Sequence, residues 1–394
     1  MDNLSLPQGK YRIDRFNLNP IFCVSLNNRM SNKERIFVRS WNDALELKNN
    51  QKIKDISPEY IAKYMAGSLS SKISPFNGIK RLPKFSNVEI DKDGSYKCKS
   101  LLKNRFEKKN SSYAQTKEIL ISQMKNIIRN EPNLVVEHSS GLDSNIILST
   151  LIKELNYSNS KVKTISYEAA ESKYLLNKLR KFFDLIETNI HKFHSHFDKS
   201  QSEMLIKIFG FPPQIHHNLQ VIQFLKNTEF NIILSGLGGD QCLTHNGVNA
   251  LNNLLEEFEI KKIWEFNPKI NFFIKFLIKN FIHSKMPIVE NLFFNPKNKN
   301  FWRKDLLTDF LTPFGKRKLS KYLPKNEYQD LSHQYDLIEN AISKELNSDG
   351  LAIRVEEETR LAEFFKIKKE FPLLGSELLD CVQNIAPKMF IKDK

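Results

Sequence analysis

Two stretches of the chain place residues where phosphate chemistry could be done. The first is Val135-Val136-Glu137-His138-Ser139-Ser140-Gly141-Leu142-Asp143-Ser144. An apolar run ends there in a turn rich in serine and glycine, and a helix-forming sequence follows. Such a junction offers unpaired backbone N–H groups at the positive end of a helix dipole, a setting that suits phosphate oxygens. Ser139, Ser140 and Ser144 add hydroxyl donors, and Gly141 lets the backbone approach a ligand closely. Asp143 is out of place against bare phosphates unless Mg²⁺ stands between them. No Lys follows the glycine, so this is not a GxxxxGK[ST] loop. The second stretch is Ile232-Ile233-Leu234-Ser235-Gly236-Leu237-Gly238-Gly239-Asp240-Gln241, again an apolar run entering a glycine-rich turn with an acid. If both runs are parallel strands, both turns open onto the crevice where such sheets bind ligands. Asp143 and Asp240 would then share one or two Mg²⁺ ions on a triphosphate.

The pattern around these turns predicts the strands and helices that position them. Ser112 caps a helix running to about Arg129, with Ile119, Leu120, Met124, Ile127 and Ile128 on one side. Strands are expected over 133–137, 163–167, 187–191 and 231–235, and helices over 144–155, 171–183 and 218–226. The stripe of the 171–183 helix is Leu175, Leu176, Leu179 and Phe182. Strands alternating with helices predict an α/β fold, a parallel sheet with helices on both faces. Before residue 110 the rhythm differs. β-like runs are expected at 21–26 and 35–39, a helix at 59–65 entered through Pro58, and a hairpin over 88–99 turning at Asp93-Gly94. Residues 250–394 read as mostly helical, with candidates at 251–258, 272–281 and 335–346, and with Pro287, Pro296, Pro313 and Pro324 as interruptions.

Composition narrows the field. The 394 residues are 40% hydrophobic, enough to bury a core. Sixty Lys+Arg against 45 Asp+Glu give a net charge of +15, but the lysines are spread along the chain and no nucleic-acid motif accompanies them. RNA modification rests on charge alone, so no nucleic-acid partner is expected. Cys23, Cys98, Cys242 and Cys381 form no CxxC pair, so neither a zinc site nor a disulfide framework is expected, which fits a reducing cytoplasm. The apolar stretch 270–282 is broken by Lys275 and Lys279 and cannot span a bilayer. His191, His194 and His196 read as a solvated loop, His216-His217 as a surface loop, and Glu356-Glu357-Glu358 as a charged helical face from which a general base could be drawn.

The first turn resembles the SGGxDS loop of the ATP pyrophosphatase (PP-loop) superfamily, with Ser140 where glycine is usual. If that position needs a positive φ, serine costs about 1 kcal/mol. The pair of turns, SGGxDS then SGxGxDE, resembles the asparagine synthetase branch. Residues 11–22 are similar to the RDRFGxKPLYY stretch of that family's glutaminase domain, 36–40 to its FASE strand, and 55–94 to its closing segment. Phe371-Pro372-Leu373-Leu374 resembles the end of GLEARVPFLD. The resemblance implies a vestigial glutaminase-like (Ntn-type) segment over 1–110 and an asparagine-synthetase-like ATP-pyrophosphatase domain over 111–394. It implies ATP and Mg²⁺ as cofactors, with Ser139, Ser140, Gly141 and Ser144 on pyrophosphate and Asp143 and Asp240 on the metal. Ile165, Tyr167, Ser235 and Gly236 would contact the nucleoside, and Asp143, Asp240 and Ser144 would be catalytic. The implied activity is an ATP-dependent amide-forming ligase that adenylates a small-molecule or peptide carboxylate and passes it to an amine.

The family's glutaminase nucleophile is an N-terminal Cys. Residue 2 here is Asp and Cys23 reads as core, so no glutaminase activity is expected. Leu237 replaces an acid suited to handling amine protons, while Lys368 and Glu370 replace the Glu and Arg of the GLEARVPFLD segment. The chain ends at Lys394 before the family's KYxLR lysine, for which Lys392 or Lys394 would have to substitute. These departures keep two alternatives open, a peptide macrolactam (lasso peptide) cyclase and a degenerate, non-catalytic ATP-binding paralogue.

Overall fold

The computed structural model describes residues 5–16, 18, 20–26, 34–49, 56–65, 73–101, 111–129, 133–157, 162–168, 173–183, 188–192, 199–210, 213, 230–244, 249–285, 315, 319, 337–386 and 389–390. The expected helix over 218–226, the residues His194, His196, His216 and His217, and the terminal lysines Lys392 and Lys394 lie outside them, as does the side chain of His191.

The first hundred residues form β1 (Gly9–Ile13), β2 (Phe22–Leu26), β3 (Glu34–Val38), α1 (Trp41–Asn49), α2 (Pro58–Met65), β4 (Ile79–Arg81), β5 (Ser86–Ile90) and β6 (Tyr96–Ser100). They make two three-stranded sheets, β1-β5-β6 and β3-β2-β4, with antiparallel pairings throughout. The β5–β6 hairpin turns at Asp93-Gly94 as expected, with Gly94 at φ +74° donating its N–H to the Asp91 carbonyl. Ile13, Cys23, Phe37, Val88 and Ile90 fill the space between the sheets. Cys23 is a core residue, and burial pushes its thiol pKa up. Strands β1 and β4 escape a pattern reading because they are short and studded with Lys and Arg.

The rest begins with α3 (Tyr113–Ile128), capped by the Ser112 hydroxyl, which accepts from the Gln115 N–H. Then come β7 (Leu134–Glu137), α4 (Leu142–Ser149), β8 (Lys163–Glu168), α5 (Lys173–Phe182), β9 (Thr188–Lys192), α6 (Lys199–Phe209) and β10 (Ile232–Leu234). Following these are α7 (Ala250–Glu256), α8 (Ile260–Phe266), α9 (Ile270–Lys285), α10 (Ile338–Leu346), α11 (Asp349–Phe364), β11 (Lys368–Glu370) and α12 (Ser376–Gln383). The strands form one five-stranded sheet in the order β11-β10-β7-β8-β9, every pairing parallel. Helices cover both faces. Leu134, Val136, Ile232 and Leu234 pack with α3, α4, α10 and α12, whereas Val135, Ile165 and Ile233 pack with α6 and α11. No helix among the described residues is long and apolar enough to cross a membrane.

Four expectations need correcting. The helix expected over 144–155 starts two residues earlier and loosens into a π turn over 150–154, where the Thr150 hydroxyl bonds back to the Ile146 carbonyl. Phe182 is exposed, so the apolar stripe of α5 does not end in the core. Residues 199–209, where no element was expected, form α6, and the three-residue β11 was likewise not expected. Glu356, Glu357 and Glu358 are not a solvated face; all three are buried, because α11 lies between the antiparallel segment and the parallel sheet. The Arg81 guanidinium bonds Glu356 at 2.8 and 3.1 Å, and Arg360 bonds the same carboxylate at 2.6 Å. Glu358 takes Lys369 and Arg354, each at 2.8 Å. Lys369 also reaches Glu137.

Candidate active site

Strands β7 and β10 are neighbours, so their carboxyl ends bring the two turns side by side. The sheet ladder runs into the first turn, where the His138 N–H donates to the Ile165 carbonyl and the Ser166 hydroxyl to the His138 carbonyl. Beyond His138 the chain turns on its own hydroxyls. The Ser144 Oγ accepts the Ser139 N–H at 3.0 Å and lies within bonding reach of the Ser139 and Gly141 carbonyls. The Ser139 Oγ accepts the Gly141 N–H at 3.1 Å. Asn145 donates to the Gly141 carbonyl and turns its Oδ1 toward the His138 Nε2.

The sequence-predicted residues therefore divide by role. Ser144 is buried, and its hydroxyl works inside the turn. Ser139 and Gly141 are exposed at the mouth. Gly141 is the N-cap of α4 with extended backbone and no side-chain cap bond, which leaves the end of the helix open to an anion. Ser140 is not among the residues at positive φ, so serine there is unstrained; the cost expected for replacing glycine does not arise.

Asp143 joins the two turns. Its carboxylate accepts the Asp240 N–H at 3.0 Å and the Thr244 hydroxyl. A methyl group on Gly239 would fall on that carboxylate, and one on Gly236 would lie 2.9 Å from the Ser144 nitrogen. The second turn is thus glycine-rich because the first packs into it. Asp143 is half-buried, and burial pushes its carboxyl above the usual range; the Thr244 bond opposes this, while the charge of Asp240 adds to it. A divalent cation between the two carboxylates would relieve that repulsion. Among the described residues no group of three or more His, Cys, Asp or Glu side chains gathers. Two carboxylates fall short of an octahedral Mg²⁺ shell, so the donor set fits an ion whose remaining ligands are phosphate oxygens and water.

Ser235 is buried; its N–H donates to the Glu370 carbonyl and its Oγ accepts the Leu237 N–H. Ile165 has its side chain in the core and only its backbone at the strand edge. Tyr167 lies two residues on in β8, its side chain outside the described residues. Leu237 packs on the core. Pattern reading missed Thr244 and Cys242. The Cys242 thiol is buried beneath the second turn, donates to the Gly238 carbonyl, and has its pKa pushed up to about 12 by burial. Neither residue carries a motif signal, because each acts through a turn made of consecutive bends rather than a helix. The chain matches no protein-family model and no curated protein.

Proposed function

We propose that this chain is an ATP-dependent, AMP-forming ligase of the asparagine synthetase type, on a PP-loop fold, that makes an amide from a carboxylate and an amine. The observation that carries this is the pairing of the two glycine- and serine-rich turns at the carboxyl ends of adjacent parallel strands, with the Asp143 carboxylate accepting the Asp240 N–H across them. The uncapped end of α4 and the exposed hydroxyl of Ser139 receive the β- and γ-phosphates. Asp143 and Asp240 would hold Mg²⁺, which supplies neutralisation of the polyphosphate charge when bound. The backbone around Ile165 and Ser235-Gly236 borders the nucleoside.

The role of the turns is to hold the α-phosphorus still while a substrate carboxylate oxygen attacks it. The bond from phosphorus to the bridging oxygen breaks, and pyrophosphate leaves into the first turn. An amine then attacks the acyl carbon, loses a proton and displaces AMP. Leu237, packed on the core where an acid would handle ammonia, favours an amine carried on a larger molecule, such as the N-terminus of a peptide. The test is ATP–pyrophosphate exchange with Mg²⁺ across a panel of acids and peptides, with Asp143→Ala as control. Exchange that is stimulated by one acid and lost in the variant supports the ligase. Nucleotide binding without exchange for any acid would replace it with a non-catalytic nucleotide-binding protein.

A further inference from the structure

A cavity opens at the other edge of the parallel sheet from the two turns. Its volume of about 420 Å³ is within the ~300–1,000 Å³ range of small-molecule sites, and it separates the antiparallel segment from α11. Arg39 and Trp41 line it on one side, Ile208, Arg360, Glu363 and Phe364 on the other. The last turn of α11 leads through 365–367 into the start of β11, so this cavity sits at the amino-terminal edge of the parallel sheet. The two turns are at the carboxyl edge, and a ligand bound here does not meet the reactants there.

The charges define what fits. Beside the cavity, Arg81 and Arg360 share the buried carboxylate of Glu356, and Glu357 also acts on the Arg360 charge, so the buried arginines are matched by carboxylates. Arg39 adds a third guanidinium at the mouth, lying over the Tyr11 ring. Glu363 stands exposed one helical turn beyond Arg360 and close enough to act on its charge. The cavity wall thus carries Arg39 on one side and the neighbouring Arg360 and Glu363 on the other, with the aromatic walls Trp41 and Phe364 among them. A ligand carrying a carboxylate, an ammonium group and a modest apolar body matches all three features.

We propose that this cavity binds a free α-amino acid, its carboxylate toward Arg39 and Arg360, its ammonium group toward Glu363 and its side chain between Trp41 and Phe364. The full chain is titrated with each common amino acid while the thermal midpoint and tryptophan fluorescence are followed. At least one amino acid is expected to raise the midpoint saturably. Its amide, which lacks the carboxylate, and its N-acetyl form, which lacks the ammonium group, are expected not to. Arg39→Met and Glu363→Gln alter exposed side chains and should each weaken binding at least about tenfold, the loss of one charged hydrogen bond. Asp143→Ala should leave binding unchanged. The proposal is overturned if no amino acid shifts the midpoint, or if the two analogues bind as well. It is also overturned if Asp143→Ala abolishes binding while the cavity variants leave it intact, because the ligand then sits at the turns. Exchange activity enters none of these readings, so the site stands or falls separately from the ligase.

Discussion

The two turns at the head of the sheet reach similar shapes by different means. The first builds itself, with the hydroxyls of Ser139 and Ser144 satisfying the backbone across six residues. The second has little side chain of its own to work with and is shaped from outside, as Asp143 and the backbone of the first turn press into Gly236 and Gly239. Both hang from β11. The Lys369 side chain grips Glu137 at the root of the first turn, and the Glu370 carbonyl takes the Ser235 N–H at the root of the second. A turn that closes on its own side chains tolerates change at its tip, whereas a turn moulded by its neighbour does not.

The largest effect should come from the root of the first turn. Lys369→Met takes the buried ammonium from between Glu137 and Glu358, leaving Glu358 with Arg354 alone, and should cost about 3–5 kcal/mol, read from urea unfolding. Burial pushes the Glu358 pKa up, but Lys369 and Arg354 outweigh it and hold it below its usual 4.5. A group with a depressed folded pKa contributes stability above its unfolded pKa and loses it as pH falls through the folded value. The wild type should therefore lose stability as pH falls below about 4.5. Lys369→Met should lose less over that window, since Glu358 then keeps only Arg354 against the cost of its burial.

Asp143→Ala removes both the bolt between the turns and a proposed metal ligand, and exchange should drop by more than about 100-fold. Thr244→Val keeps the carboxylate but frees one oxygen, with an expected loss of about tenfold. If Thr244→Val has no effect, the Asp240 N–H alone suffices to hold the Asp143 carboxylate. Gly239→Ala should destabilise the chain by about 1–3 kcal/mol through overpacking against Asp143, as calorimetry would show. The smallest change is Ser140→Gly, expected to cost about 0.5–1 kcal/mol through backbone freedom, with exchange unaltered. A gain of stability there would mean that the first turn is strained after all, and the contrast between the turns would fall.

Much of this was legible in the chain itself. The runs Leu134–Glu137 and Ile232–Leu234 are apolar enough to be buried strands, and the alternation of strands with helices after residue 112 dictates a parallel sheet. Ser112 as a cap and Asp93-Gly94 as a turn are local effects, settled within a few residues. The residues at the heads of the two strands could be named as candidates because glycine, serine and aspartate gather where each apolar run ends.

Tertiary contact decided the remainder. Lys-Lys-Glu has no strand pattern, yet Lys368–Glu370 closes the sheet, because Lys369 finds two carboxylates far away in sequence. Glu356, Glu357 and Glu358 look like a solvated face until Arg81 and Lys369 arrive from other elements, beside Arg360 of the same helix, to pair with Glu356 and Glu358 in the interior. Thr244 gains a role only because Asp143 is folded against it. Periodicity reports where apolar surface must go, since that depends on neighbours three or four residues away. Pairing of charges and hydrogen bonds between distant residues leaves no such period, and only the folded chain brings the partners together.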